Sequence, residues 1–95
     1  MFKAIWNGKE IAASENCIVV EGNQYFPPDA VNMEFFKESS NSSICPWKGT
    51  ASYYDLEVDG ESNPDAAWYY PDPSEAAMEI KDYVAFWRGV EIQKY

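Results

Sequence analysis

The sequence predicts a mostly β domain, with short antiparallel strands and one short helix near residues 75–82. Two hairpin signals support this class: Asn7-Gly8 and Asp59-Gly60 each lie between apolar runs, and both turns can adopt the positive φ of a type I′ turn. In addition, the runs rich in β-branched and aromatic residues are short and end at Gly, Pro or Asn. The chain has no internal repeat and no linker, so residues 1–95 are expected to form a single domain.

Strand-forming runs occur at 2–6, 10–13, 17–21, 25–26, 50–58, 66–70, 83–87 and 90–92. The run at 50–58 alternates most clearly, and its expected inward face carries Thr50, Ser52, Tyr54, Leu56 and Val58. Asn63-Pro64 is expected to break the chain before the 66–70 strand, because proline has no N–H to donate to a sheet.

Two segments are expected to be helical. Ser74 is a suitable N-cap for a helix at 75–82, which would place an apolar stripe against a sheet. Asp29 is placed to cap a shorter helical stretch that reaches Phe36. The Ser- and Asn-rich segment 37–43 predicts a loop.

The charge balance restricts the expected partners. Seven basic residues stand against 16 acidic ones, which gives a formal net charge of −9. Nucleic acid and anionic membrane surfaces are therefore not expected partners, because both are bound through clustered Lys and Arg. No apolar run approaches the ~18 residues of a membrane-spanning helix, and residues 1–6 lack the apolar core of a signal peptide. The sequence predicts a cytoplasmic protein.

Histidine is absent, and the two cysteines are Cys17 and Cys45. Without imidazole, Ser-His and Cys-His nucleophile pairs and all His-based metal sites are excluded. Two thiols cannot complete a four-ligand zinc site. No metal or cofactor is therefore predicted, and both thiols of a cytosolic protein are expected to be reduced.

A set of short motifs occurs in order along the chain: Val20-Glu21-Gly22-Asn23, Tyr25-Phe26-Pro27, Cys45-Pro46-Trp47-Lys48-Gly49, Tyr53-Tyr54, Ala67-Trp68-Tyr69-Tyr70-Pro71 and Val84-Ala85-Phe86-Trp87-Arg88-Gly89-Val90. In these motifs the chain resembles, over essentially its whole length, the family catalogued as domain of unknown function 427. The resemblance implies a β-tent of two small antiparallel sheets that meet at an angle. By fold, the family is grouped with the thalidomide-binding domain of cereblon and with methionine-R-sulfoxide reductases of the B type. Those relatives hold zinc with four cysteines, so no zinc is expected in a chain that has two.

Aromatic residues exceed what a core of this size needs, since four Trp, seven Tyr and five Phe occur in 95 residues. Aromatic walls suit flat or cationic small molecules, and the fold relative that binds cyclic imides uses such a cage. The leading hypothesis is a small-molecule binding module whose expected binding residues are Tyr25, Trp47, Lys48, Tyr53, Trp68, Tyr70 and Arg88. Core packing is the competing role of each aromatic residue.

Two alternatives remain open. In a thiol-dependent enzyme, Cys45 would be the nucleophile or redox centre, Lys48 would lower its pKa, and Glu21 would act as acid or base. In a scaffold protein, the exposed aromatic residues would instead contact a partner chain. A buried, inert thiol and plain surface acidity are the competing interpretations of Cys45 and Glu21.

Overall fold

Three antiparallel sheets contain the strands of the computed structural model, which describes residues 1–95. The strands are β1 (Phe2–Trp6), β2 (Lys9–Ser14), β3 (Ile18–Val20), β4 (Asn23–Tyr25), β5 (Phe36–Cys45), β6 (Gly49–Val58), β7 (Glu61–Tyr69), β8 (Val84–Phe86) and β9 (Glu91–Lys94). One sheet has the order β2-β1-β9, β3 and β4 form a ribbon, and the largest sheet has the order β5-β6-β7-β8. The mostly β class is confirmed, with three sheets where the resemblance implied two.

Four tight turns each contain two consecutive residues with positive φ, as a type I′ turn requires. They are Asn7-Gly8, Glu21-Gly22, Asp59-Gly60 and Arg88-Gly89. The first and third join β1 to β2 and β6 to β7, so both hairpins that the sequence predicts are confirmed. The second joins β3 to β4 and sets the position of Glu21.

Buried side chains form two cores, one on each face of the four-stranded sheet. The first core contains Ala4, Ile11, Ala12, Phe26, Leu56, Val58, Ala66, Ala67, Val84 and Phe86. The second core contains Tyr25, Ala51, Tyr70, Ala77, Ile80 and Ala85. Strand β8 shows the division directly, because Val84 and Phe86 enter the first core and Ala85 enters the second. The sheet is therefore covered on both faces.

The predicted inward face of β6 is correct only at one end of the strand. Leu56 and Val58 are buried in the first core, and Tyr54 packs against it. Thr50 is exposed, and the buried neighbour at that end is Ala51, which faces the second core. The prediction assumed one buried face, whereas this sheet buries opposite faces of the same strand at its two ends.

The loop predicted for 37–43 is wrong, because these residues lie inside strand β5. β5 is an edge strand with mostly exposed side chains, so its composition is that of a loop. Its pairing with β6 is interrupted between Glu38 and Ser42. Within that bulge, Ser39 and Asn41 donate hydrogen bonds of 2.5 and 2.7 Å to the Asp65 carboxylate.

Asn63-Pro64, expected to break the chain before the 66–70 strand, instead lies within β7. The register with β6 shifts here, and the following Asp65 has a φ of 54°. Its N–H donates to the Asp55 carboxylate at 2.9 Å, outside the regular ladder. A bulge of this kind accommodates proline without loss of the strand.

Both predicted helices are replaced by 3₁₀ turns. The 29–36 stretch contains turns at Pro28–Ala30 and Met33–Phe35, separated by an extended Val31. The segment at 75–82 is a 3₁₀ turn over Glu75–Ile80, and Ala77 inside it has non-helical φ and ψ. Ser74 makes no capping hydrogen bond; its hydroxyl donates instead to the Trp47 carbonyl.

Candidate functional site

An open pocket of about 160 Å³ lies on the second-core face of the four-stranded sheet. We call it the aromatic pocket; it is lined by Lys48, Tyr53, Trp68, Tyr70 and Trp87. Strand pairing explains why some of these residues lie close together. Tyr53 on β6 lies directly opposite Trp68 on β7, and Tyr70 follows Trp68 by two residues, so it shares its face.

The turn between β5 and β6 positions Lys48. Gly49 has a φ of 113°, which is accessible mainly to glycine, and its Cα faces the backbone of Asp72 and Pro73. The Lys48 carbonyl accepts a hydrogen bond of 2.9 Å from the Ser74 N–H. The turn is thus held against the segment that precedes the Glu75–Ile80 turn. This contact fixes the position of the Lys48 backbone, from which the side chain extends.

Lys48 is a buried cation, with 6% of its surface exposed. Its ammonium forms an ion pair with the Glu21 carboxylate, which comes from the β3–β4 turn. The same Nζ lies 5.4 Å from the centre of the Tyr70 ring and 5.5 Å from that of Trp47, both within cation–π range. The charge is therefore held between one carboxylate and two aromatic rings.

The ion pair shifts the pKa values of both partners. Burial lowers the pKa of Lys48, but the hydrogen bond to Glu21 and nearby negative charge outweigh this effect and raise it above its ordinary value. The hydrogen bond from Lys48 lowers the pKa of the exposed Glu21 carboxyl. Both groups are therefore charged at neutral pH, and Lys48 is a hydrogen-bond donor there, not a general base.

Hydrogen bonds and ring contacts hold the aromatic side chains of the pocket in place. Trp68 donates from Nε1 to the hydroxyl of the fully buried Tyr25 at 3.1 Å, and the two rings pack edge-to-face at 6.2 Å. On its other side, Trp68 packs edge-to-face against Trp87 at 5.9 Å. The Tyr53 hydroxyl is hydrogen-bonded to that of Ser43 at 2.7 Å. These contacts fix the orientations of the Trp68 and Tyr53 rings.

Of the seven residues predicted to bind a ligand, four line the pocket: Lys48, Tyr53, Trp68 and Tyr70. Tyr25 lies behind Trp68 in the second core. Trp47 is 43% exposed and contacts Glu21 and Lys48 at the edge of the ion pair. Arg88 lies over the Trp87 ring, 4.6 Å from its centre, without lining the pocket.

Trp87 lines the pocket, but sequence reasoning did not select it as a site residue. Alternation could have indicated it, since Trp87 follows Ala85 by two residues and Ala85 pairs with Trp68. That register was not readable from the sequence. The Trp87 indole also donates to the Asp65 carbonyl, which ties this ring to the β7 bulge.

Two residues of the thiol-enzyme hypothesis, Lys48 and Glu21, are in direct contact. Cys45 is half-buried at the end of β5, where it pairs with Gly49 and packs against the second core. It does not line the pocket, and its thiol makes no hydrogen bond to Lys48 or Glu21, which bind each other. No group of three or more Cys, Asp or Glu side chains is arranged to hold a metal ion.

The arrangement suits recognition of a flat group. Four aromatic rings surround a small volume, and an ammonium group with more than one N–H donor lies in its wall.

None of the helical segments is long and apolar enough to cross a membrane.

Comparison with known proteins places the chain in a family. The comparison with curated proteins gave no match. The family model described as a domain of unknown function (DUF427) matches residues 1–94, nearly the whole chain. The protein therefore belongs to the DUF427 family.

Proposed function

We propose that the protein binds a planar molecule of about one aromatic ring, which carries a hydrogen-bond acceptor that faces Lys48. The observation that carries the proposal is the position of a buried lysine in a pocket otherwise walled by Tyr53, Trp68, Tyr70 and Trp87. Aromatic walls with a few fixed polar groups are typical of small-molecule sites.

The pocket volume sets the size of the ligand. Sites for drug-sized ligands usually enclose about 300–1,000 Å³, whereas an apolar cavity of about 150 Å³ holds benzene. The aromatic pocket, at about 160 Å³, therefore matches a single six-membered ring. Because the pocket is open to solvent, a larger molecule can place one ring in it and leave the remainder outside.

Lys48 sets the polarity of the ligand. An ammonium has three N–H donors, and Glu21 accepts from this one on a single side. A carbonyl or carboxylate oxygen in the pocket can accept a further N–H, whereas a cationic group would meet a like charge. A buried cation is unusual in this chain, which has a net charge of −9. Because nucleic acid is itself a polyanion, the same net charge supports a small-molecule partner over nucleic acid.

The four tryptophan indoles allow a direct test by ¹H–¹⁵N NMR. Trp68 and Trp87 line the pocket, Trp47 lies beside the ion pair, and Trp6 is on β1 against the first core. The probes are benzamide, benzoate and benzylammonium, which share one ring and differ in polarity and charge. We expect benzamide and benzoate to shift the indole signals of Trp68 and Trp87, leave Trp6 unchanged, and bind at least tenfold more tightly than benzylammonium.

Two variants separate the polar and the stacking contributions. Lys48→Met should weaken benzamide binding roughly tenfold, as expected for loss of a hydrogen bond to a charged donor. Trp87→Leu should weaken it about threefold through the lost aromatic contact. Tyr95→Leu is the matched control, because Tyr95 is an exposed aromatic residue outside the pocket. Equal affinity for the three probes, or equal loss in Tyr95→Leu, would refute the proposal.

A further inference from the structure

A second pocket lies on the opposite face of the same two strands. Along β6 and β7 successive side chains alternate, so Tyr53 and Trp68 face the aromatic pocket while Tyr54 and Tyr69 face the other way. Tyr54 and Tyr69 pack against the first core and line this second pocket of about 300 Å³. Its volume is at the lower end of the range for small-molecule sites.

The walls of the second pocket are aromatic and apolar. The Tyr54 and Tyr69 rings are stacked, with centres 4.5 Å apart and planes inclined by 18°. Val84 forms part of the floor, and the half-exposed Met33 lies at the opening. Stacked, electron-rich ring faces beside a thioether favour an alkyl group or an organic cation.

The charges around this pocket are negative. Asp82 is the one charged residue that lines it, and no lysine or arginine does. The Tyr69 hydroxyl donates to Glu38 at 3.0 Å, which places a second carboxylate beside the rings. Burial is the main cause of the raised pKa of Tyr54, and the charges of Glu38 and Asp82 raise it further.

We infer that the second pocket binds a small organic cation, an alkylammonium whose apolar stem lies on the Tyr54–Tyr69 stack and whose charge pairs with Asp82. Charge complementarity carries the inference, since the only charged residue that lines the pocket is Asp82 and aromatic ring faces suit a cation. This site goes beyond the proposed function. The two pockets lie on opposite faces and have lining charges of opposite sign, so they select opposite ligands.

The test uses n-butylammonium as the probe, with 1-butanol and butyrate as neutral and anionic controls of matched length. Binding is followed through the backbone amides of ¹⁵N-labelled protein at constant ionic strength. We expect butylammonium to shift the amides of Met33, Tyr54 and Asp82 and to bind roughly threefold more tightly than butanol, as expected for one exposed ion pair. Butyrate should bind least.

A matched pair of variants isolates the Asp82 charge. Asp82 and Asp59 both have positive φ, at 63° and 51°, and both can be replaced by Asn, which tolerates that conformation. Each substitution removes one negative charge from the molecule, but only Asp82 lines the pocket. Asp82→Asn should weaken butylammonium binding about threefold, and Asp59→Asn should leave it unchanged.

Three outcomes would overturn the inference. Butanol could bind as tightly as butylammonium, which would make the pocket a purely apolar contact. The two Asn variants could lose affinity equally, which would assign the effect to net charge. Butylammonium could shift only the amides around Lys48 and Trp68, which would place it in the aromatic pocket. Benzamide binding in the aromatic pocket is measured in a separate titration, so the two proposals can fail separately.

Discussion

At the scale of single residues, the ion pair between Lys48 and Glu21 is the central electrostatic feature. The lysine is buried and the carboxylate is half exposed, with 7% and 51% of their side-chain surfaces accessible. The pair is therefore reached by water from the Glu21 side. A buried ammonium without a partner is costly, so Glu21 both neutralises Lys48 and holds it in the pocket wall.

Replacement of Glu21 by Gln should make the stability of the protein less dependent on pH. The pKa of Glu21 is lowered on folding, so its contribution is present above the unfolded pKa of about 4.3 and is lost as the pH falls through the folded value. The pKa of Lys48 is raised, so its contribution is present below its unfolded pKa of about 10.4 and is lost above the folded value.

Thermal unfolding from pH 2.5 to 7 measures the acid side of this effect. At pH 7 the Tm of the wild-type protein should be higher than that of Glu21→Gln, and this difference in Tm should become smaller toward pH 2.5. Glu91→Gln is a suitable control, because Glu91 is exposed and forms no ion pair. A difference in Tm that is as large at pH 2.5 as at pH 7 would contradict the assigned role of Glu21.

Gly49→Ala should destabilise the protein more than Gly60→Ala. Gly60 has a φ of 79°, near the left-handed region, and a new Cβ would meet open space. Gly49 has a φ of 113°, farther from any conformation that alanine adopts, and a Cβ would lie 3.4 Å from the Asp72 carbonyl. We expect a loss of about 2–3 kcal/mol for Gly49→Ala and about 1 kcal/mol for Gly60→Ala.

Urea unfolding gives both values, and the indole NMR signals report on the pocket. Because the Gly49 turn positions Lys48, Gly49→Ala should also move the signals of Trp47 and Trp68, whereas Gly60→Ala should not. If Gly60→Ala were the more destabilising variant, the conformational account of the turn would be wrong.

At the scale of elements, the β5 edge strand and the β7 bulge stabilise each other through one carboxylate. Asp65 accepts from Ser39 and Asn41, and the hydrogen bond from Ser39 is the main reason that the Asp65 pKa is lowered. The Asp65 carbonyl also accepts from the Trp87 indole. The bulge therefore connects the sheet edge to a wall of the aromatic pocket.

Asp65→Ala should be destabilising by about 2 kcal/mol, because it removes two hydrogen-bond acceptors and places alanine at a positive φ. Asp65→Asn keeps the favourable backbone preference and one acceptor, so its loss should be about 1 kcal/mol or less. Chemical denaturation measures both. Hydrogen exchange of the amides in 39–42 should rise in the Ala variant, and unchanged exchange there would separate the bulge from the edge strand.

The same elements show what the sequence can and cannot predict. Hairpins at Asn7-Gly8 and Asp59-Gly60 are set by local turn chemistry and were predicted correctly. Segment 37–43 becomes a strand because it pairs with β6 and donates hydrogen bonds to Asp65, about 25 positions away. Local strand propensity does not include such distant contacts, so it could not predict this strand. The 3₁₀ turns also depend on tertiary contacts, since their few residues cannot form a stable helix alone.

The candidate site could be predicted in part for a related reason. Lys48 and five aromatic positions were selected because cations are scarce and aromatic residues abundant in this chain. Alternation within β6 and β7 then decides the face, and it separates Tyr53 from Tyr54 and Trp68 from Tyr69. Trp87 depends on the pairing register of β8, which emerges only from the folded sheet.

At the scale of the whole molecule, a sheet with a core on each face has two pockets that should respond independently to core substitutions. Leu56 and Ile80 are both fully buried, in the first and the second core respectively. Leu56→Ala and Ile80→Ala should each be destabilising by about 2–5 kcal/mol.

Their effects on the pockets should differ. Ile80→Ala loosens the core that contains Tyr25 and Tyr70, so it should weaken benzamide binding several-fold in the protein that remains folded. Leu56→Ala lies in the other core and should leave benzamide binding nearly unchanged. Binding measured at a temperature well below both Tm values tests this, and equal weakening in the two variants would show that the cores act as one unit.

The central claim is that Lys48 and the surrounding rings form a binding site for one planar group. Crystals soaked with 4-bromobenzamide test it most directly, because bromine gives an anomalous signal that locates the ring. We predict one dominant peak in the aromatic pocket, beside Trp68 and Trp87, with the amide oxygen within hydrogen-bond distance of the Lys48 ammonium. A dominant peak elsewhere, or an empty aromatic pocket at a saturating concentration, would contradict the claim.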